Sequence, residues 1–137
     1  MNITKTINYK DYSIKLIKWL TDSCLSYPAE GFVIGMSGGI DSAVCAALLA
    51  KTGLHVTALI MPSENNSDND MVDAIEYLEK LNINFFIVPI QDTYDTFLEM
   101  SNVFTNIKNS RQHVIKGNAQ ARLRMMALYA YAQQNNR

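Results

Sequence analysis

Two spacings of apolar residues run through this chain, and the places where one gives way to the other mark its elements. From Asn8 to about Leu25 the set Tyr12, Leu16, Trp19, Leu20 and Ser23 recurs at intervals of three and four, which predicts a helix. Ser26-Tyr27-Pro28-Ala29-Glu30-Gly31 reads as a loop. Phe32-Val33-Ile34-Gly35-Met36 is a short apolar run of the kind buried on both faces of a sheet. After a glycine turn, Ser42–Lys51 is helical, and Thr52-Gly53 closes it with Gly53 as the C′ residue. His55–Met61 is a second strand, and Pro62–Asp68 a polar loop. Asn69–Leu81 returns to helical spacing through Met71, Val72, Ile75 and Leu78, and Asn82 ends it. Phe85–Val88 is a third strand, and Thr93–Met100 another helix. Ser101–Lys116 has no period and reads as an irregular, mobile surface region. Asn118–Gln134 is the last helix.

Strands separated by helices imply parallel pairing with right-handed crossovers. The fold class is therefore α/β: a doubly wound, Rossmann-like three-layer α/β/α arrangement on a parallel sheet of at least three strands. In such sheets ligands sit beyond the carboxyl ends of the strands. The chain has 137 residues, enough for one domain with one sizeable core. About half of it is apolar and its net charge is −1, so composition gives no reason to expect nucleic acid or membrane as a partner. Cys24 and Cys45 fall at apolar positions of helices and far from any CxxC spacing. They read as buried free thiols in a reducing cytoplasm. Met1–Lys18 is mixed and charged, without the apolar stretch of a signal peptide, and the longest apolar run, Ala43–Ala50, is too short to cross a bilayer.

Chemistry concentrates at the first strand's carboxyl end, in Gly35-Met36-Ser37-Gly38-Gly39-Ile40-Asp41-Ser42. Consecutive glycines allow backbone conformations closed to other residues and let an anion approach the chain. The first amides of the following helix point into the same space and form an anion cradle. Ser37 and Ser42 can add hydroxyl donors. The segment is no Walker A loop, which ends in Gly-Lys-Ser/Thr, and no G-x-G-x-x-G fingerprint occurs. Where a lysine would stand there is Asp41. A carboxylate beside a phosphate site repels the anion unless a cation lies between, so Asp41 is a candidate Mg²⁺ ligand. The plainer reading is a tight turn with Asp41 serving the helix N-terminus. Ser37–Ser42 resembles the SGGxDS loop of the ATP pyrophosphatase superfamily. That resemblance implies an adenine nucleotide alpha-hydrolase-like fold, adenylation of a substrate oxygen by ATP, and a loop that holds the pyrophosphate released.

A second segment narrows the resemblance. Gly117-Asn118-Ala119-Gln120-Ala121-Arg122-Leu123-Arg124-Met125-Met126-Ala127-Leu128-Tyr129 is similar to the GNxxARxRMxxxY segment of NAD synthetases. Glu30–Val33 and Met61-Pro62-Ser63 fit the same family, and the likeness runs from about Tyr9 to Asn135. On a helix, Asn118, Arg122, Met125 and Tyr129 form one stripe. Asn118 is expected near the helix start, where amides favour anions. Arg122 can grip a phosphate or carboxylate with parallel hydrogen bonds, and Arg124 points well away from it. For either arginine the plainer role is a solvated or ion-paired one.

The resemblance implies that Asn118 and Arg122 bind deamido-NAD and that the Met61 backbone reads the adenine edge of ATP, although Met61 is also a core filler. Asp68 and Asp70 read as a solvated loop, and His55 and His113 are isolated. The last helix is apolar around most of its circumference, which suits an interface or burial within the monomer. The family's homodimers favour the interface. The family's later GTxxxxE motif, aspartate and lysines have no counterpart here. The expected unit is therefore one ATP-binding domain over residues 1–137, resembling the N-terminal half of an ammonia-dependent NAD synthetase. It would use ATP, Mg²⁺, deamido-NAD and ammonia, and would be cytoplasmic. A silent nucleotide-binding or dimerisation module, or another adenylating enzyme such as a tRNA-modifying one, are the alternatives.

Overall fold

The computed structural model describes residues 7–64, 68–100 and 112–137. In chain order the elements are α1 (Tyr9–Leu25), β1 (Gly31–Met36), α2 (Ile40–Ala50), β2 (His55–Ile60), α3 (Asp68–Lys80), β3 (Asn84–Ile87), α4 (Gln91–Met100) and α5 (Gln112–Gln134). Asn8 caps α1, its side-chain oxygen accepting from the Lys10 and Asp11 amides at 3.2 and 3.3 Å. Gly53 takes φ +74° beyond the α2 cap at Lys51, and Asn82 takes φ +55° beyond α3, so both stop signals act as their residue types allow.

The strands pair in parallel in the order β1-β2-β3, with Gly31 opposite His55 and Thr57 opposite Asn84. Strand periodicity then sorts the side chains. Met36, Ala58 and Ile60 face α2 and α3, where Ala46, Ala74 and Leu78 complete one core. Val33, Leu59, Met61 and Val88 face the other way and meet Leu123, Ala127, Leu128 and Tyr131 of α5. The sheet is thus sandwiched between helices, giving the expected three layers. α1 packs mainly on α2, and α4 on α5. The Tyr94 hydroxyl of α4 donates to the Lys116 carbonyl of α5 at 3.5 Å. No described helix is long and apolar enough to cross a membrane.

Several expectations need correction. α5 begins at Gln112, so residues 112–116 are helical, while residues 101–111 lie outside the described residues. Asn118 consequently sits in the second turn, past the amides that a helix start leaves open. Asp68 and Asp70 belong to the first turn of α3, where acidic residues suit the helix dipole, and not to a loop. Cys24 is buried as expected, but Cys45 is exposed. β1 is half-buried over most of its length, because one of its edges carries no strand among the described residues.

Candidate nucleotide site

β1 ends at Met36 and α2 begins at Ile40, so the turn between them has only Ser37, Gly38 and Gly39. Gly38 makes this possible twice over. Its φ is +79°, and a Cβ there would lie 2.6 Å from the Asp70 carbonyl oxygen of α3. Only glycine satisfies both constraints. The two serines then close the turn on itself. Ser42 Oγ donates to the Gly39 carbonyl at 2.9 Å, Ser37 and Ser42 hydroxyls meet at 3.2 Å, and Ser37 Oγ accepts from the Gly39 amide at 3.3 Å. Ser42 Oγ also accepts from the Ser37 amide at 3.4 Å. Side chains thus set the turn's shape.

The Gly39 cap offers no side chain to the helix, and the Ala43 amide is the first to bond inside it, to the Gly39 carbonyl at 3.2 Å. The Ile40, Asp41 and Ser42 amides precede that first bond. Asp41 lies in this first turn, exposed, with no ion pair or hydrogen bond among the described residues. A row of N–H donors beside an unneutralised carboxylate suits a phosphate held with a divalent cation between the two. Among the described residues there is no cluster of three or more metal-ligating side chains, so Asp41 would be one ligand, with phosphate and water completing the shell. Met36, Ser37, Ile60, Met61, Pro62, Asp70 and Met71 line a cleft beside the loop. It runs between the carboxyl ends of β1 and β2 and under the start of α3.

Gly35 and Met61 serve from behind. Leu128 and the Met61 side chain approach a would-be Gly35 Cβ to 3.4 and 3.3 Å, so the bare backbone lets α5 sit close under the loop. Met61 itself is buried in the α5-facing core. Its carbonyl accepts from Arg124 Nε at 3.3 Å, and Arg124 Nη2 donates to Ser63 Oγ at 3.1 Å. Arg124 is thereby the strut that fixes the end of β2. Burial lowers its pKa from the ordinary arginine value. Sequence reasoning left its role open. The signal was available in the separation of Arg122 and Arg124 by two residues, about 200° around a helix, which sends one inward when the other faces out.

Asn118, Arg122, Met125 and Tyr129 do form a common exposed stripe on α5, as the spacing predicts. Arg122 Nη1 donates to the Asn118 carbonyl one turn back, at 3.1 Å. No hydrogen bond joins this pair to the Ser37–Ser42 loop among the described residues. The pair stands on the exposed side of α5, whose other side packs on the sheet. Gln120, between them in the motif, is buried and lines a cleft with Gln91, Tyr94 and Lys116. His55 and His113 are exposed and belong to neither candidate site.

Known proteins carry the same arrangement. The NAD synthase family model matches residues 12–137. The NH(3)-dependent NAD(+) synthetase of Mannheimia succiniciproducens is 45% identical over 130 residues, which is 94% of this chain and 51% of that protein. The NMN synthetase structure from Francisella tularensis is 60% identical with a TM-score of 0.87, covering 96% of this chain and 52% of that one. An NH3-dependent NAD synthetase from Campylobacter jejuni, solved with a nitrate ion, is 30% identical with a TM-score of 0.83, over 95% of this chain and 54% of its own. The chain spans about half the length of the curated relatives it matches. With the loop, the motif on α5 and the family model all in register, this chain belongs to the NAD synthase family.

Proposed function

We propose that residues 1–137 form the ATP-binding part of an enzyme that amidates a nicotinate nucleotide, and the turn at Ser37–Ser42 carries this reading. A carboxylate oxygen of the nicotinate ring attacks the α-phosphorus of ATP. The bond to the β-phosphate breaks, and pyrophosphate leaves into the cradle of Gly38, Gly39 and the first α2 amides. Ammonia then attacks the activated carboxyl carbon, AMP departs, and a proton is lost as the amide forms. No protein nucleophile is needed: positioning and charge neutralisation supply the catalysis. Mg²⁺, held by Asp41, supplies positive charge against the phosphates when bound. Gly35 and Met36 bring the strand to the turn, Ile40 and Ser42 contribute amides, and the Met61 backbone lies at the adenine edge of the cleft.

Asn118 and Arg122 bind the nicotinate substrate. Because they stand on the exposed stripe of α5, we place that substrate between two copies of the chain. The exposure of Met125, Met126 and Tyr129 on the same helix, 48%, 65% and 64%, supports a homodimer built there. Free thiols and a net charge near zero support a cytoplasmic protein that uses neither nucleic acid nor membrane.

Two substrates fit this chemistry. The relatives described as NAD synthetases point to deamido-NAD. The 60% identity to an NMN synthetase favours the mononucleotide, which offers the same carboxylate without the second nucleotide. Chromatography of the products formed from ATP, ammonia and each substrate distinguishes them. The chain is assayed alone and with the second half of a relative supplied. Asp41→Asn is expected to abolish amide formation from both. Amide formation by that variant at the unmodified rate would remove Asp41 from the mechanism.

A further inference from the structure

α4 and the first turns of α5 line a cleft whose charges do not neutralise one another. One wall begins where the chain leaves β2 and β3, at Glu64 and Gln91, and the other carries Lys116 and Gln120 of α5. The cleft holds about 330 Å³. That is roughly ten times the share of one water molecule and near the lower end of small-molecule sites. Glu64 and Asp95 bring carboxylates to it and Lys116 an ammonium, all three exposed. Yet no ion pair joins any of them among the described residues.

Most of the polar wall is already built. Gln91 Oε1 accepts from the Glu64 amide at 3.0 Å, and Gln91 Nε2 donates to both Asp95 carboxylate oxygens at 2.9 and 3.0 Å. Both ends of the Gln91 carboxamide are thus used, and Asp95 is held in place with lone pairs to spare. Tyr94 is buried behind it and donates to the Lys116 carbonyl at 3.5 Å. Burial first, and then the Asp95 charge, raise the Tyr94 pKa, so the phenol stays protonated and no cation within the chain offsets that carboxylate. Gln120 is different. It is only 6% exposed, it lines the cleft, and its carboxamide makes no hydrogen bond among the described residues. Covered amides ordinarily find partners, and packing alone favours an apolar side chain at such a place.

We propose that this cleft binds a free amino acid with a polar side chain, its α-ammonium between Glu64 and Asp95, its carboxylate at Lys116 and its side chain on the Gln120 carboxamide. A bare cation would answer the carboxylates but leave Lys116 and Gln120 without partners and most of the room empty. A phosphate would meet Lys116 and be repelled by both carboxylates. A small molecule carrying both signs and an amide or hydroxyl answers every group. None of these residues belongs to the Ser37–Ser42 loop or to the Asn118–Arg122 stripe. The site is therefore additional to the amidation chemistry and independent of which nicotinate substrate is used. It adjoins the nucleotide cleft along the chain, since Glu64 follows Ser63, which Arg124 holds at 3.1 Å.

Calorimetric titration of the chain, without nucleotide, tests this with L-glutamine, L-asparagine, L-serine and L-leucine. Saturable binding of at least one of the three polar amino acids is expected, with a Kd of about 1 mM or below. For L-glutamine, N-acetylation removes the ammonium and conversion to the α-amide removes the carboxylate. Each should weaken binding at least tenfold, as should Asp95→Asn and Lys116→Met. Gln120→Leu should erase the preference for L-glutamine over L-leucine. Should that buried substitution unfold the chain, the two exposed variants still decide the matter. No saturable binding of any polar amino acid up to about 10 mM would overturn the proposal. So would binding that ignores both derivatives, or L-leucine bound as tightly as the polar three. Because nucleotide is absent throughout, failure here leaves the amidation reading intact, and failure of that reading leaves this result standing.

Discussion

The inner and outer faces of α5 hold similar residues and differ in what those residues can do. On the inner face, Leu123, Ala127, Leu128 and Tyr131 close over β1 and β2, and Arg124 reaches across to the Met61 carbonyl and Ser63. These side chains pack or bond within the chain. On the outer face, Asn118, Arg122, Met125 and Tyr129 are exposed, and Arg122 bonds only back to its own helix among the described residues. One arginine is a strut and the other a free hand. A family motif written as a string gives them equal weight, and only the packing of the helix separates a residue that braces the end of β2 from one left open to solvent.

The largest effect that sharpens this contrast is on the inner face. Leu128→Ala removes the side chain that lies against Gly35, and half-buried leucines of this kind cost about 2 kcal/mol or more when truncated. Chemical denaturation should show that loss in the isolated chain. An unchanged midpoint would mean that α5 does not pack under the loop.

On the outer face, Arg122→Ala should leave the denaturation midpoint within about 0.5 kcal/mol, as exposed substitutions do. It should weaken calorimetric binding of deamido-NAD or nicotinate mononucleotide by about 10- to 100-fold, the loss of a charge-assisted, two-pronged contact. Arg122→Lys should not restore it. Equal binding by all three proteins would reduce the outer stripe to a solvated helix face.

Arg124→Met should do the reverse of Arg122→Ala. It strips donors from the Met61 carbonyl and Ser63 Oγ, which costs about 1–2 kcal/mol, but it also removes a guanidinium whose burial is itself unfavourable. The net loss should therefore sit at the lower end. ATP affinity should fall with it, because the end of β2 loses its strut. A variant with full stability and full ATP affinity would make Arg124 dispensable.

How far these faces could be read in advance depended on the range of the forces involved. The β1–turn–α2 unit was legible because its constraints are local. Gly38, the two serines and Asp41 act within a single turn. Both apolar cores follow from strand alternation. The start of α5 was not legible. Gln112, His113, Lys116 and Gly117 carry no apolar period, and it is the contact with Tyr94 of α4 that steadies this stretch. Nor could the exposure of Cys45 be read, since its place on an apolar helix face says nothing about whether a strand lies opposite. The inward turn of Arg124 depended on which side of α5 meets the sheet.

Tyr94 offers the smallest and most specific test of that inner face. Its hydroxyl donates to the Lys116 carbonyl at 3.5 Å, a long bond, so Tyr94→Phe should cost no more than about 1 kcal/mol at neutral pH. Burial, helped by the neighbouring Asp95 carboxylate, raises its pKa above the ordinary value of 10.0. In the unfolded chain the phenol loses its proton first. The folded state therefore keeps its full Tyr94 contribution below about pH 10 and gives it up as the pH climbs from there through the raised folded value. Denaturation midpoints followed from pH 8 to 11 should fall more steeply for the native chain than for Tyr94→Phe. Parallel curves would mean that the phenol is as accessible to water folded as unfolded, and that the first turns of α5 are held by something other than α4.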